Sequence, residues 1–233
     1  MRLLSTYSLL VALCFALLAA VFPRMLNAQG QPLQGPSPAP GFLTAPAPGD
    51  ALDLVLDYVR KKRTSFGLQQ TDLEDVKITN RYTTQHNGVT HIYLSQHLAG
   101  IEVIGGYLNA SVTSDGRLFS LHNRFVPGLS LAANTRAPVL SPIQAVEAAA
   151  GELGLPVTAP LAPQAVAGGP AREILLSDGG ISIDPIPVKL MYHTDGEGAV
   201  RLVWNLFVRQ LDQQHWWNVN VDAVSGAVLS KTD

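Results

Sequence analysis

The sequence predicts an α+β protein of two modules, each an antiparallel β-sheet packed by a helix, behind a signal peptide and a disordered leader. Three observations carry this reading. Residues 90–125 alternate with the period of strands and are broken at Ala99-Gly100, Gly105-Gly106 and Ser114-Asp115-Gly116, which describes a meander. Just before it, Leu52, Val55, Leu56 and Val59 fall at i, i+3, i+4 and i+7, one stripe of a helix able to cover the meander's apolar face. A second helical pattern followed by a second run of strands begins at Pro138.

Residues 1–28 have the layout of a secretory signal: Arg2, an apolar run through Phe22, and Leu26-Asn27-Ala28 as a peptidase site. The apolar run is shorter than the roughly 20 residues a membrane span needs, so no stable span is expected after cleavage. Cys14, the sole cysteine, lies in this run, and an exported chain without it must be stabilised by packing rather than disulfides. The destination is secreted and extracellular. A formal charge of -2 and a pI near 6.3 provide no basic field for nucleic acid, and none is expected as a partner.

Residues 29–49 are Pro- and Gly-rich with almost no charge and read as a disordered or extended leader. The first module spans residues 50–130. Asp50 caps its helix, and Arg60, Lys61, Lys62 and Arg63 crowd the last turn, where cations complement the helix dipole. Asp72, Glu74 and Asp75 read as a solvated turn before a first strand from Val76 to Tyr82. The second module spans residues 138–233. Ser141 as N-cap, Pro142, Gln144 and Gly154 delimit its helix. Residues 156–180 are rich in Pro, Ala and Gly, which predicts a long loop or flexible insertion. Strands resume at 188–192, 199–211, 215–221 and 227–229.

The chemistry is sparse. None of the six histidines has the His-Glu-x-x-His spacing of a zinc hydrolase, and no Gly-x-Ser-x-Gly elbow or phosphate loop occurs. His91 and His97 share a strand face but have no carboxylate or cysteine at ligand spacing. No catalytic, cofactor or metal residue is assigned. The least ordinary feature is His215-Trp216-Trp217: neighbours on a strand point to opposite faces, so one tryptophan can enter the core and the other is left for a partner. These three are the candidate partner contacts.

The order of motifs resembles the propeptide of secreted fungalysin-type zinc metallopeptidases. Thr90-His91-x-Tyr93-x-x-Gln96-x-x-x-Gly100-Ile101-x-Val103, Leu108-Asn109 and Asp115-Gly116-Arg117 are similar to the fungalysin/thermolysin propeptide module. Asn123-Arg124-Phe125-Val126 and the Ala-rich helix are similar to the segment that comes after that module in the family. Trp204-Asn205-Leu206, His215-Trp216-Trp217, Val221-Asp222-Ala223 and Ser225-Gly226 resemble the closing PepSY-type region. The resemblance implies an inhibitory, folding-assisting prosegment whose partner is a fungalysin-like catalytic domain, in cis or in trans, with zinc only in that domain. The alternative is a free-standing secreted module that inhibits peptidases or binds proteins in trans.

Overall fold

The computed structural model describes residues 39–195 and 198–233. The signal sequence and the first part of the leader lie outside the described residues. The remainder of the leader is not free. Leu43 donates its N–H to the Leu118 carbonyl at 2.7 Å, Leu118 donates back to the Thr44 hydroxyl, and the Arg117 guanidinium sits 4.0 Å from the Phe42 ring centroid. A disordered leader through residue 49 is thus corrected. Although the segment has little to bury, it gains backbone partners at a strand end.

Helix α1 (Ala51–Lys62) starts at Asp50, whose carboxylate accepts from Leu52 N–H at 2.9 Å, and buries Val55 and Val59. Two short 3₁₀ turns, Arg63–Phe66 and Gln70–Leu73, lead to the meander β1 (Val76–Thr83), β2 (Thr90–Leu98), β3 (Ile101–Val112) and β4 (Leu118–Asn123), with antiparallel neighbours throughout. A short turn of helix α2 (Leu129–Ala132) precedes α3 (Pro142–Leu153). Helix α3 carries the expected capping box, Ser141 with Gln144, and ends on Gly154 at φ +68°, a conformation glycine adopts without strain. Then come β5 (Pro163–Gly168), β6 (Glu173–Leu176), β7 (Ile186–Thr194), β8 (Val200–Arg209), β9 (Trp216–Asp222) and β10 (Val228–Thr232).

Two expectations are corrected. The loop expected over residues 156–180 contains the hairpin β5–β6, which extends the sheet from β7 and buries Leu176 in the core. Its strand pattern is hidden by Pro and Ala because it lies at a sheet edge, where little side-chain burial is required. The sheet is also mixed rather than purely antiparallel. In the order β1-β2-β3-β7-β8-β9-β10, β3 meets β7 in parallel at Val103 and Tyr192.

Strand β3 makes that junction possible by changing neighbours along its length. Its later part, from Leu108, pairs with β4, while its first residues face β7. Between them the β2–β3 register shifts at Ser95/His97, opposite Gly105 and Gly106. Gly105 has φ +74°, and a Cβ on Gly106 would lie 2.9 Å from that of Val103, so the pair serves as a bulge and a close approach.

Both helices cover one face of this sheet. On β2, Ile92 and Leu94 enter the core beneath α1, and Leu98, of the same parity, packs against the core beneath α3. The α3 core is built from Ala145, Val146, Ala149 and Ala150 against Leu202, Trp204, Leu206 and Val208. The opposite face carries no helix among the described residues.

Candidate functional site

The turn after β8 and the start of β9 place His215, Trp216 and Trp217 at one end of the sheet. Trp217 shares parity with Val219 and Val221, packs against the α3 core and donates its indole N–H to the Gln210 side-chain oxygen at 3.1 Å. Trp216 points the other way and is 65% exposed. The His215 ring stacks on Trp217 at 5.3 Å between centroids. Its Nδ1 lies 2.5 Å from an Asp233 carboxylate oxygen, and the other oxygen of that carboxylate accepts the Trp216 backbone N–H at 2.9 Å. The carboxylate raises the His215 pKa above its ordinary value, and the same hydrogen bond holds Asp233 below the usual carboxylate range.

The strand pairing Phe207↔Asn218 and Arg209↔Trp216 adds residues that sequence reasoning missed. Trp216 lines a shallow groove with Pro185, Pro187, Phe207 and Arg209, and Pro187 and Phe207 also line the adjoining groove beside β6. Arg209 is held at the rim by Asp184, 3.0 Å away. The one sequence signal for this patch is the alternation in β8, where Phe207 falls on the parity of Arg201, Asn205 and Arg209 rather than that of Leu206 and Val208. Next to the patch, Asn205 donates to the side-chain oxygens of Asn218 and Asn220 at 2.6 and 2.9 Å, an amide ladder that fixes the centre of the open face.

The carboxylates before β1 are a second point of difference. Asp72 is 3% exposed rather than solvated and accepts from the backbone N–H groups of Gln69, Gly128 and Leu129 at 2.8, 2.8 and 3.0 Å. Asp75 accepts from Gly100 N–H at 2.6 Å; Glu74 alone of the three is exposed. Gln96, fully buried, donates to the carbonyls of Asp72 and Val126 and accepts from Val126 N–H. These side chains tie the connection after β4 to the β1–β4 part of the sheet. They act in architecture, not chemistry.

The histidines on the open face are not gathered into a site. His91 lies between the hydroxyls of Ser111 and Thr84, each at 3.1 Å. Burial pushes the pKa of His97 down, helped by Lys77, and burial does the same to His193. Among the described residues no cluster of three or more His, Cys, Asp or Glu side chains is arranged to hold a metal ion. No described helix is long and apolar enough to cross a membrane.

What the geometry offers is a sheet face free of helices among the described residues, buried at Val203, Asn205 and Asn220 and exposed along an edge at Trp216 and Phe207. Residues 74–125 match the Fungalysin/Thermolysin Propeptide Motif. The match begins within the acidic turn, covers β1 to β4 and closes at Phe125, so this propeptide motif coincides with the meander, while Asp72 and its partners Gly128 and Leu129 lie just outside it. The chain is also similar to fungal secreted proteins. It is 27% identical over 152 residues to the extracellular metalloproteinase MEP of Neosartorya fischeri (64% of this chain, 24% of that protein). It is 30% identical over 142 residues to the Leptosphaeria maculans protein of the same name (60% and 22%), and 32% over 139 residues to that of Aspergillus flavus (59% and 21%). The chain thus spans less than a quarter of the length of these relatives. A solved structure, the Bacillus megaterium YpeB C-terminal domain, aligns with 81% of this chain and 66% of that one at 10% identity and a TM-score of 0.33, too remote to support an argument. The chain resembles the propeptide part of fungalysin-type metallopeptidase precursors and carries no His-Glu-x-x-His segment.

Proposed function

We propose that this chain is the inhibitory and folding-assisting propeptide of a secreted, extracellular fungalysin-like zinc metalloendopeptidase. The observation that carries the reading is the coincidence of the propeptide motif with a complete structural unit, β1 to β4, in a chain similar to extracellular metalloproteinases. Zinc belongs to the catalytic domain, which is the partner. The prosegment consists of two modules, residues 50–130 and 138–233, each a helix-packed set of strands, held in register by the β3–β7 contact.

The contacts centre on His215, Trp216 and Trp217, with unequal parts. Trp216, exposed beside Phe207 and Pro187, is the anchor that enters the partner's surface. His215 stacks on Trp217, and the Asp233 carboxylate that pairs with His215 also holds the Trp216 backbone N–H. A tryptophan side chain has few rotatable bonds and so gives a large contact area for a small loss of conformational entropy.

The test is a titration of the mature peptidase from one of the fungal relatives with the purified chain, following hydrolysis of a peptide substrate. The proposal expects saturable inhibition near equal stoichiometry and a higher yield of active peptidase when the denatured catalytic domain is refolded with the chain. Neither effect at micromolar chain would overturn it.

A further inference from the structure

The run Arg60-Lys61-Lys62-Arg63 is the only place in the 233-residue sequence where two basic residues are adjacent, and four stand there together. Arg60, Lys61 and Lys62 stand in the last turn of α1, where cations complement the helix dipole, and Arg63 follows at its C-cap. The same run is also the densest cationic stretch that an acidic-subsite endopeptidase could read.

The surrounding structure has an unusual distribution of burial. Val59 is 1% exposed and Leu68 is 3% exposed, and both belong to the core beneath α1. Between them every residue from Arg60 to Ser65 is exposed. The ties within this stretch are local: Arg60 pairs with Asp57 at 3.2 Å, and the Arg63 guanidinium donates to the Arg60 carbonyl at 3.1 Å. Among the described residues Lys61 and Lys62 make no side-chain hydrogen bond or ion pair. The α-helix stops here, the 3₁₀ turn Arg63–Phe66 follows, and Gly67 ends it at φ +72°. Drawing residues 60–65 into an extended strand therefore breaks a few backbone hydrogen bonds in a terminal turn and removes no side chain from the core. Such openings lie at the low end of the local unfolding scale.

We propose that the Arg63–Thr64 bond is a processing site for an endopeptidase of paired-basic specificity, one whose subsites are lined by carboxylates. Arg63 occupies the primary pocket, where a guanidinium takes a bidentate carboxylate, and Lys62 and Arg60 fill the acidic subsites before it. Thr64 and Ser65 are small on the leaving side. Water adds across the peptide bond, leaving a carboxylate on Arg63 and an amine on Thr64.

The cut separates α1 from the sheet it covers. Val55 and Val59 then hold the helix only by packing, together with the Asp50–Arg81 ion pair and the Leu43–Leu118 contact, without the covalent link that keeps its local concentration high. Departure of α1 bares Ile92, Leu94, Leu108 and Ala110 and dismantles the first module. If the proposed propeptide function holds, the same cut disposes of the inhibitor, and this consequence rests on that reading.

Digestion of the purified folded chain with a kexin-type endopeptidase, read by mass spectrometry, tests the site without any metallopeptidase present. The expected product begins at Thr64 and appears before any other cut. The exposed-site variants Arg63→Ala and Lys62→Ala should slow the cut by about a hundredfold, as expected when a charged subsite is left unpaired, while their thermal unfolding stays that of the parent. A folded chain that stays intact while its urea-unfolded form is cut at Thr64 overturns the proposal, as does an unchanged rate in Arg63→Ala. In a separate arm, nicked chain added to the peptidase should no longer inhibit. Persistent inhibition by fully nicked chain would overturn the disposal step, whereas absence of inhibition by intact chain would count against the propeptide function alone.

Discussion

The two halves of the sheet are held by different means. Beneath α3 the core is large, with Trp204, Tyr192, Leu202 and Leu206 buried against a helix of small residues, and its buried polar side chains, the Asn205 ladder and Asp222, lie within β8, β9 and the turn after β9. Beneath α1 the core is smaller, and its edges are secured by the buried polar side chains Asp72 and Gln96, which reach backbone groups on the connection after β4. A small core leaves less hydrophobic free energy to fix loop positions, and directional hydrogen bonds supply that restraint. The second half therefore has the larger apolar core beside the strand that displays Trp216, and in the first half Asp72 and Gln96 carry a larger share of the restraint across distant segments.

Substitution of Trp204 by Ala should have the largest effect on this contrast. It empties a large buried volume and strands the Leu140 carbonyl that the indole N–H serves at 2.9 Å, so a loss of about 4 kcal/mol is expected in urea unfolding. Asp72→Ala should come next. Three backbone N–H groups lose their acceptor, for about 3 kcal/mol, with increased hydrogen exchange confined to residues 69–73 and 126–130. Equal losses spread over both halves in the Asp72 variant would break the comparison.

Trp216→Ala should leave stability within about 0.5 kcal/mol and weaken partner binding by about 2 kcal/mol, measured by inhibition. Trp217→Ala should do the reverse in part, lowering the midpoint of unfolding because its ring packs on the core. If the two variants behaved alike, the division of labour between the neighbours would be wrong.

The smallest effects are those of pH. His97 and His193 have pKa values lowered by burial, so the stability they contribute is complete above the ordinary value near 6.5 and is lost as pH falls through their folded values. His215 has the opposite sign. Its raised pKa makes its contribution complete below 6.5, and that contribution fades as pH rises through the folded value, while its partner Asp233, held low, is lost only in acid below 3.8. The two signs oppose each other between pH 8 and pH 5, so the check is by variant: in thermal scans the deficit of His215→Ala against the parent should be larger at pH 5.5 than at pH 8, the ring stacking on Trp217 being lost at both.

Much of this arrangement was legible along the chain because its causes are local. The cap at Asp50, the Ser141–Gln144 box, the Gly154 terminator and the alternation in β2 and β9 each involve neighbours within one helical turn or one strand. The features that escaped depend on distant partners. Asp72 looks like any acid in a polar turn until Gly128 and Leu129, 56 and 57 residues later, bring their N–H groups to it. Phe207 becomes part of a patch only through pairing with β9, and the β5–β6 hairpin owes its place to β7 rather than to its own composition. Of the candidate contacts, the opposed directions of Trp216 and Trp217 follow from strand geometry, while the support from Asp233 does not.

On the proposed function, the open face anchored at Trp216 is where the chain holds a fungalysin-like catalytic domain. Hydrogen exchange of the chain alone and with the inactivated peptidase of a fungal relative probes that contact directly. Slowed exchange should concentrate in residues 184–188, 205–210 and 215–218, with α1 and α3 unaffected. Protection confined to the helices, or none at a concentration that inhibits, would refute the assignment of the face.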